Sequence, residues 1–270
     1  MSEAHPRKTV AVGDLALSYR EAGTGPALVL LHGIGSNSGS WIHQLAALGA
    51  DHRVIAWDAP GYGRSDPLAN ARPAPADYAD HLAAALDALG IATADVVGHS
   101  FGALVAAAFA RRHPARIGRL VLSHPAVGFG AAADAPLPEG AAARVRDLET
   151  LGPKGLAEKR AARTCGPHAA PEVIDLTRRV MGEIRPEGYR AANHLLARGD
   201  LLADLAGLDL PIRVMAGTAD PITPEARCRD VAARLPGADY VDLGEVGHPS
   251  YAEVPERYNE ALRRFLRRNR

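Results

Sequence analysis

Short apolar runs rich in Val, Leu and Ile recur along this chain and alternate with longer stretches whose apolar residues fall at helical spacing. Few folds accommodate that order. A strand buried on both faces reads as a near-continuous apolar run, and two such strands joined by a helix pair in parallel. The runs are Leu15 to Tyr19, Ala27 to Leu31, Arg53 to Trp57, Ala94 to Val97, Arg119 to Leu122, Ile212 to Met215 and Tyr240 to Leu243, with an alternating Val10-Ala11-Val12 ahead of them. Trp41 to Leu48, Tyr78 to Leu89, Phe101 to His113, Glu225 to Leu235 and Pro255 to Leu266 carry the helical spacing. The pattern predicts an α/β architecture, a mainly parallel sheet with helices covering both faces. At 270 residues and 47% hydrophobic content, the chain has the material for one such domain plus an insertion.

The insertion is visible as a break in the pattern. Between about Ala126 and Asp209 several helical stretches follow one another without a strand, punctuated by Pro136, Pro138, Gly152-Pro153, Gly166-Pro167 and Pro171. Residues 1–125 and 210–270 therefore read as the core, and 126–209 as a helical cap over the carboxyl edge of the sheet. The first half of the cap carries Arg144, Arg146, Lys154, Lys159, Arg160 and Arg163, interspersed with Asp147, Glu149 and Glu158. Two readings stand: attraction of an anionic substrate, or ordinary solvated charge on short helices.

Charge and cysteine usage narrow the partners. The 31 basic residues balance 31 acidic ones, so no overall field recruits nucleic acid or an anionic membrane. No apolar run approaches bilayer length and the first residues lack the apolar stretch of a signal peptide, so a cytoplasmic protein acting on a small molecule is expected. Cys165 and Cys228 are too few for a disulfide framework, and no Cys/His spacing resembles a zinc site. Neither a metal nor an organic cofactor is expected, and nothing in the composition sets an oligomeric state.

The chemistry gathers where strands end. Val96-Val97-Gly98-His99-Ser100-Phe101-Gly102-Ala103 runs from a strand through Gly-x-Ser-x-Gly into an Ala-rich helix. So sharp a turn forces Ser100 into a strained backbone conformation and leaves no room for side chains two residues to either side. It also lifts the hydroxyl to a helix N-terminus, which favours negative charge. A serine hydroxyl is a weak nucleophile at neutral pH and needs a base, which in turn needs an orienting acid. His248, after the last strand, is the expected base, and Asp220, after the preceding strand, the expected acid. The backbone N–H groups of Ile34, in Leu31-His32-Gly33-Ile34-Gly35-Ser36, and of Phe101 are the expected oxyanion hole. His32, Gly33, Trp41 and Arg160 are candidate substrate contacts, although polar support or packing is the competing reading for His32 and for His99.

The order Ser100, Asp220, His248 resembles that of the α/β-hydrolase superfamily. So do His32-Gly33-Ile34-Gly35, Asp58-Ala59-Pro60-Gly61-Tyr62-Gly63-Arg64-Ser65, Gly98 to Gly102, Gly217 to Pro224 and Gly247-His248, in order and separation over essentially the full length. The resemblance implies an eight-stranded, mostly parallel sheet with a cap inserted after the sixth strand. It also offers a second place for the acid, after that strand. Here that stretch reads Leu122-Ser123-His124-Pro125, without a carboxylate, so Asp220 is preferred, with Asp242 and Glu245 as alternatives. Within the superfamily the chain is similar to small bacterial enol-lactonases and esterases, and to hydrolases of aromatic meta-cleavage products. The first implies ester or lactone hydrolysis, and the second carbon–carbon cleavage of a vinylogous diketone. Gly35-Ser36-Asn37-Ser38 and His99 depart from the Gly-Pro-Gly and pre-serine Asn of the second group. A slow or non-catalytic ligand receptor on the same fold is the reading from another class.

Overall fold

The structure, a computed structural model, describes residues 4–267. Its strands are β1 (Lys8–Val12), β2 (Leu15–Ala22), β3 (Ala27–Leu31), β4 (Arg53–Trp57), β5 (Ala94–His99), β6 (Ile117–Ser123), β7 (Ile212–Ala216) and β8 (Asp239–Asp242). They form one sheet in the order β1-β2-β4-β3-β5-β6-β7-β8. β2 pairs antiparallel with β1 and β4, and every other pairing is parallel. The Val10-Ala11-Val12 segment is thus the carboxyl-terminal part of an edge strand. The helices are α1 (Ile42–Leu48), α2 (Pro75–Ala88), α3 (Phe101–Arg112), α4 (Glu139–Thr164), α5 (Pro171–Met181), α6 (Pro186–Arg198), α7 (Leu201–Leu205), α8 (Glu225–Arg234), α9 (Ser250–Glu253) and α10 (Pro255–Leu266). Trp41, expected to open a helix, closes the short 3-10 turn Ser38–Trp41.

Alternation along the strands assigns the two faces. Val29, Leu31, Ile55, Trp57, Val96, Leu120, Leu122 and Val214 point to the face covered by α2, α3 and α8. Leu28, Leu30, Val54, Ala56, Val97, Val121 and Met215 point to the other, against α1, α9 and α10. Both faces are dry, which is why these strands read as continuous apolar runs rather than alternating ones.

Helices α4 to α7 lie between β6 and β7, the cap that the resemblance implies. Gly152 interrupts α4 with a non-helical backbone, φ 66° and ψ 175°, just before Pro153, so the Gly-Pro pair divides the helix as its sequence predicts. Leu148, Leu156, Ala157, Met181, Ile184 and Tyr189 form a small core within the cap, and Ile34 packs on it from below. Among the described residues, no helix is long and apolar enough to cross a membrane.

Candidate active site

Parallel strands end on a common edge, so the residues that follow them converge there. β5 runs into Ser100, β6 into His124, β7 toward Asp220 and β8 toward His248. Ser100 adopts φ 53° and ψ −114°, a backbone state costly for any residue with a side chain. The turn is tight enough that a Cβ on Gly98 would stand 2.5 Å from the Gly102 carbonyl oxygen, and one on Gly102 2.4 Å from that of Leu31. Ser100 and His248 line the same cavity. Among the described residues, the amides of Ile34 and Phe101 donate to no protein acceptor, and Phe101 is the first residue of α3, where N–H groups lack helical partners.

Asp220 is buried and accepts five hydrogen bonds. Oδ1 takes the amides of Ile222 (2.7 Å) and Thr223 (3.1 Å), while Oδ2 takes His248 Nδ1 (2.7 Å), His124 Nδ1 (2.6 Å) and Thr223 Oγ1 (2.6 Å). Burial alone would raise its pKa, but the charge of His248 and the hydrogen bonds from both imidazoles hold it well below the usual carboxylate range. Bonding through Nδ1 fixes the tautomer of a neutral His248 and leaves Nε2 as its basic atom.

His124 is the residue that the sequence concealed. It is fully buried in a left-handed conformation, φ 46°, and its Nε2 meets Ser250 Oγ at 2.8 Å. The stretch after β6, which lacks a carboxylate, instead supplies Asp220 with a second imidazole. Positive φ is not written in composition. The one available signal was a histidine at the carboxyl end of an apolar strand, followed by Pro125. A third imidazole, His99, donates from Nε2 to the His248 carbonyl at 3.0 Å. Burial, then repulsion from His248 and His124, pushes its pKa well down.

Two candidate substrate contacts lie elsewhere. His32 is fully buried and outside the cavity wall: Nδ1 donates to the Gly33 carbonyl (2.8 Å) and Nε2 accepts from the Ala59 amide (3.0 Å), so it ties the loop after β3 to the turn after β4. Trp41 is equally buried, because the 3-10 turn carries its ring beneath the edge against Tyr251, 4.6 Å between centroids. Gly33 and Arg160 do line the cavity. Tyr62, part of a matching segment but given no role there, donates from its hydroxyl to the Ile34 carbonyl at 2.8 Å and so braces the loop after β3. Asp58 anchors the same region, accepting from the Ser38 amide (2.8 Å) and Ser18 Oγ (2.6 Å).

The cavity has a volume of about 380 Å³ and is walled by core loops on one side and the cap on the other. Met181, Ile184, Leu196, Ala126, Val127 and Phe129 give it an apolar lining. His124, Asp220 and His248 are also the one group of three potential metal ligands among the described residues. Their nitrogen–oxygen separations of 2.6 and 2.7 Å are those of a shared proton, closer than two ligands on ~2 Å metal bonds stand from each other.

A doubly covered parallel sheet, a strained serine at a strand–helix turn and a helical cap together define a hydrolase architecture. The chain belongs to the α/β-hydrolase fold family, whose model matches residues 26–255. It is 26% identical to 3-oxoadipate enol-lactonase 2 of Acinetobacter baylyi, over 98% of each chain. It is 34% identical to the 2-hydroxy-6-oxononadienedioate/2-hydroxy-6-oxononatrienedioate hydrolase of Burkholderia vietnamiensis, over 94% of this chain and 92% of that one. Among solved structures, a thermophilic esterase from Thermogutta terrifontis, with malate bound, superposes with a TM-score of 0.86 at 30% identity, covering 97% of this chain and 98% of that one.

Proposed function

We propose that the protein hydrolyses a small carboxylic ester or lactone through an acyl-enzyme, with Ser100 as nucleophile, His248 as base and Asp220 as the acid that orients it. Strained Ser100 in the wall of a cavity shared with His248, whose Nδ1 is held by Asp220, carries this reading. Ser100 Oγ bonds to the acyl carbon as its proton passes to His248 Nε2, and the amides of Ile34 and Phe101 receive the charge on the carbonyl oxygen. The acyl–oxygen bond then breaks and the leaving oxygen takes the proton from His248. In a lactone this oxygen stays tethered to the acyl group. Water next gives a proton to His248 and its oxygen bonds to the acyl carbon. Ser100 leaves with that proton, and a carboxylic acid is released. Every atom and proton balances without a metal or organic cofactor. On this reading residues 126–209 select the substrate, and residues 1–125 and 210–270 supply the chemistry.

A fluorophosphonate small enough to enter the cavity is expected to label Ser100 stoichiometrically, and Ser100→Ala to abolish labelling and cut turnover about 10⁴-fold or more. Labelling confined to another residue, or undiminished turnover in the folded variant, overturns the assignment. The similarity to the Burkholderia vietnamiensis hydrolase favours carbon–carbon cleavage as the second reading. Assay of purified protein against aryl esters, enol-lactones and ring-cleavage products separates the two by the bond broken.

A further inference from the structure

The cavity wall carries three arginines, Arg144, Arg160 and Arg227, and no aspartate or glutamate. Several other cations of the cap are matched by acids. Arg146 pairs with Glu139, Lys159 with Asp147 at 2.7 Å, Arg178 with Glu158 at 3.1 Å and Arg190 with Glu149 at 3.0 Å. Arg160 reaches Asp147 at 3.8 Å. Arg144 stands half-buried in the cavity wall, where among the described residues no carboxylate pairs with it, and its hydrogen bond is from Nε to Asn193 Oδ1, a neutral amide, at 2.9 Å. Asn193 is fully buried and donates from Nδ2 to the Tyr189 carbonyl at 2.9 Å, which fixes its amide and presents Oδ1 to Arg144.

A guanidinium cannot shed its charge at physiological pH, so drawing the half-buried Arg144 partly out of water without a counter-ion costs free energy that a bound anion returns. Burial, together with Arg160, works against the charged form of Arg144. With Nε held by Asn193, the terminal nitrogens have no protein acceptor among the described residues, and their planar fork matches the two oxygens of a carboxylate.

We propose that Arg144 is the anion-binding residue of the cavity and that the substrate is an ester or lactone bearing a second, free carboxylate, drawn in by Arg160 and Arg227 and received by Arg144. The inference rests on the hydrolase reading of the cavity and names its substrate class. It also selects one position from the basic cluster: Arg146 is exposed and paired outside the wall.

The test uses two esters of equal length, 4-nitrophenyl valerate and mono-4-nitrophenyl glutarate, with wild type, Arg144→Gln, Arg144→Lys and Arg146→Gln. Glutarate binding is measured in parallel by calorimetry. The ratio of the Michaelis constants, glutarate ester over valerate ester, is expected to rise about 10- to 100-fold in Arg144→Gln, the loss typical of a charge-assisted hydrogen bond. It should rise less in Arg144→Lys, which keeps the charge but not the fork, and stay unchanged in Arg146→Gln. Glutarate should bind wild type and lose affinity in the same order. An unchanged ratio with unchanged glutarate binding in folded Arg144→Gln overturns the proposal. If that variant does not fold, Arg144→Lys decides by the same criterion. Should wild type cleave neither ester, the hydrolase reading fails, and the calorimetry alone still decides whether Arg144 binds a carboxylate.

Discussion

Oxygen Oδ2 of Asp220 gathers three donors, from His248, His124 and Thr223, all within 2.7 Å. Such a carboxylate is oriented from two sides, and His124 also anchors Ser250 at the start of α9, two residues beyond His248. On the proposed mechanism His124 acts through Asp220, as a positioning residue. An asparagine tolerates left-handed φ and its Nδ2 stands where the imidazole carries Nδ1, so His124→Asn keeps the Asp220 bond and loses the one to Ser250. His124→Leu loses both and strains the backbone at φ 46°. The leucine variant is expected to lose about 1–3 kcal/mol of stability and a tenfold or greater share of kcat with little change in KM. The asparagine variant should recover most of the kcat. Denaturant melts together with steady-state kinetics check this, and equal kcat in the two variants would falsify the positioning role.

At the scale of elements, the cap is fastened to the loop that carries His248. The Thr164 carbonyl at the end of α4 accepts the His248 amide at 2.8 Å, and Glu253 Oε1 bridges the amides of Gly166 (3.0 Å) and Gly247 (3.1 Å). Two backbones meet there with nothing between them: a Cβ on Gly247 would stand 2.3 Å from the Gly166 nitrogen and 2.6 Å from the Thr164 oxygen. Gly247→Ala must push the end of α4 away from His248. It is expected to cost about 1–3 kcal/mol of stability and to lower kcat by displacing the base. Gly140, near the start of α4, has open space around its Cα, and Gly140→Ala should stabilise by about 0.4–1 kcal/mol through the unfolded chain. Thermal melts of the two variants should therefore move in opposite directions. A Gly247→Ala protein as stable and active as wild type would mean that this seam carries no strain.

Over the whole molecule, burial has fixed several histidines in their neutral form. His32, His99 and His124 are buried and all have pKa values lowered by desolvation. In the unfolded chain each titrates near ~6.5. Between the folded value and that one, the unfolded state binds a proton that the fold refuses, so this contribution is complete above ~pH 6.5 and declines as pH falls. Each group adds a slope of up to about 1.4 kcal/mol per pH unit. Asp220, lowered instead, adds nothing to the slope in this window, because its carboxyl is ionised in both states well above pH 4; its stabilisation is lost only in stronger acid. Urea unfolding at pH 7.5 and 5.5 is expected to show a clear loss of stability at the lower pH. A flat profile would mean that these imidazoles accept protons while folded.

The fold was legible because its signals are local. Ala27–Leu31 and Arg53–Trp57 are apolar runs whose limits coincide with β3 and β4, since strands buried on both faces leave no polar position to blur their edges. The serine turn was legible for the same reason, as Gly98 and Gly102 are required by contacts within a few residues or with the adjoining β3. The order of Ser100, Asp220 and His248 along the chain identified which strand ends to compare. What the sequence did not contain were relations across the edge. His124 reaches an oxygen 96 positions away, Tyr62 braces a loop 28 positions back, and Trp41 turns under the sheet instead of facing the cavity. Among six cap cations of similar appearance, only packing decided that Arg146 and Lys159 find acids at the surface while Arg144 stands half-buried in the cavity wall beside an amide. A side chain's charge is set by its identity, but its partner is set by which helix faces which, and that is fixed only when the cap closes over the sheet.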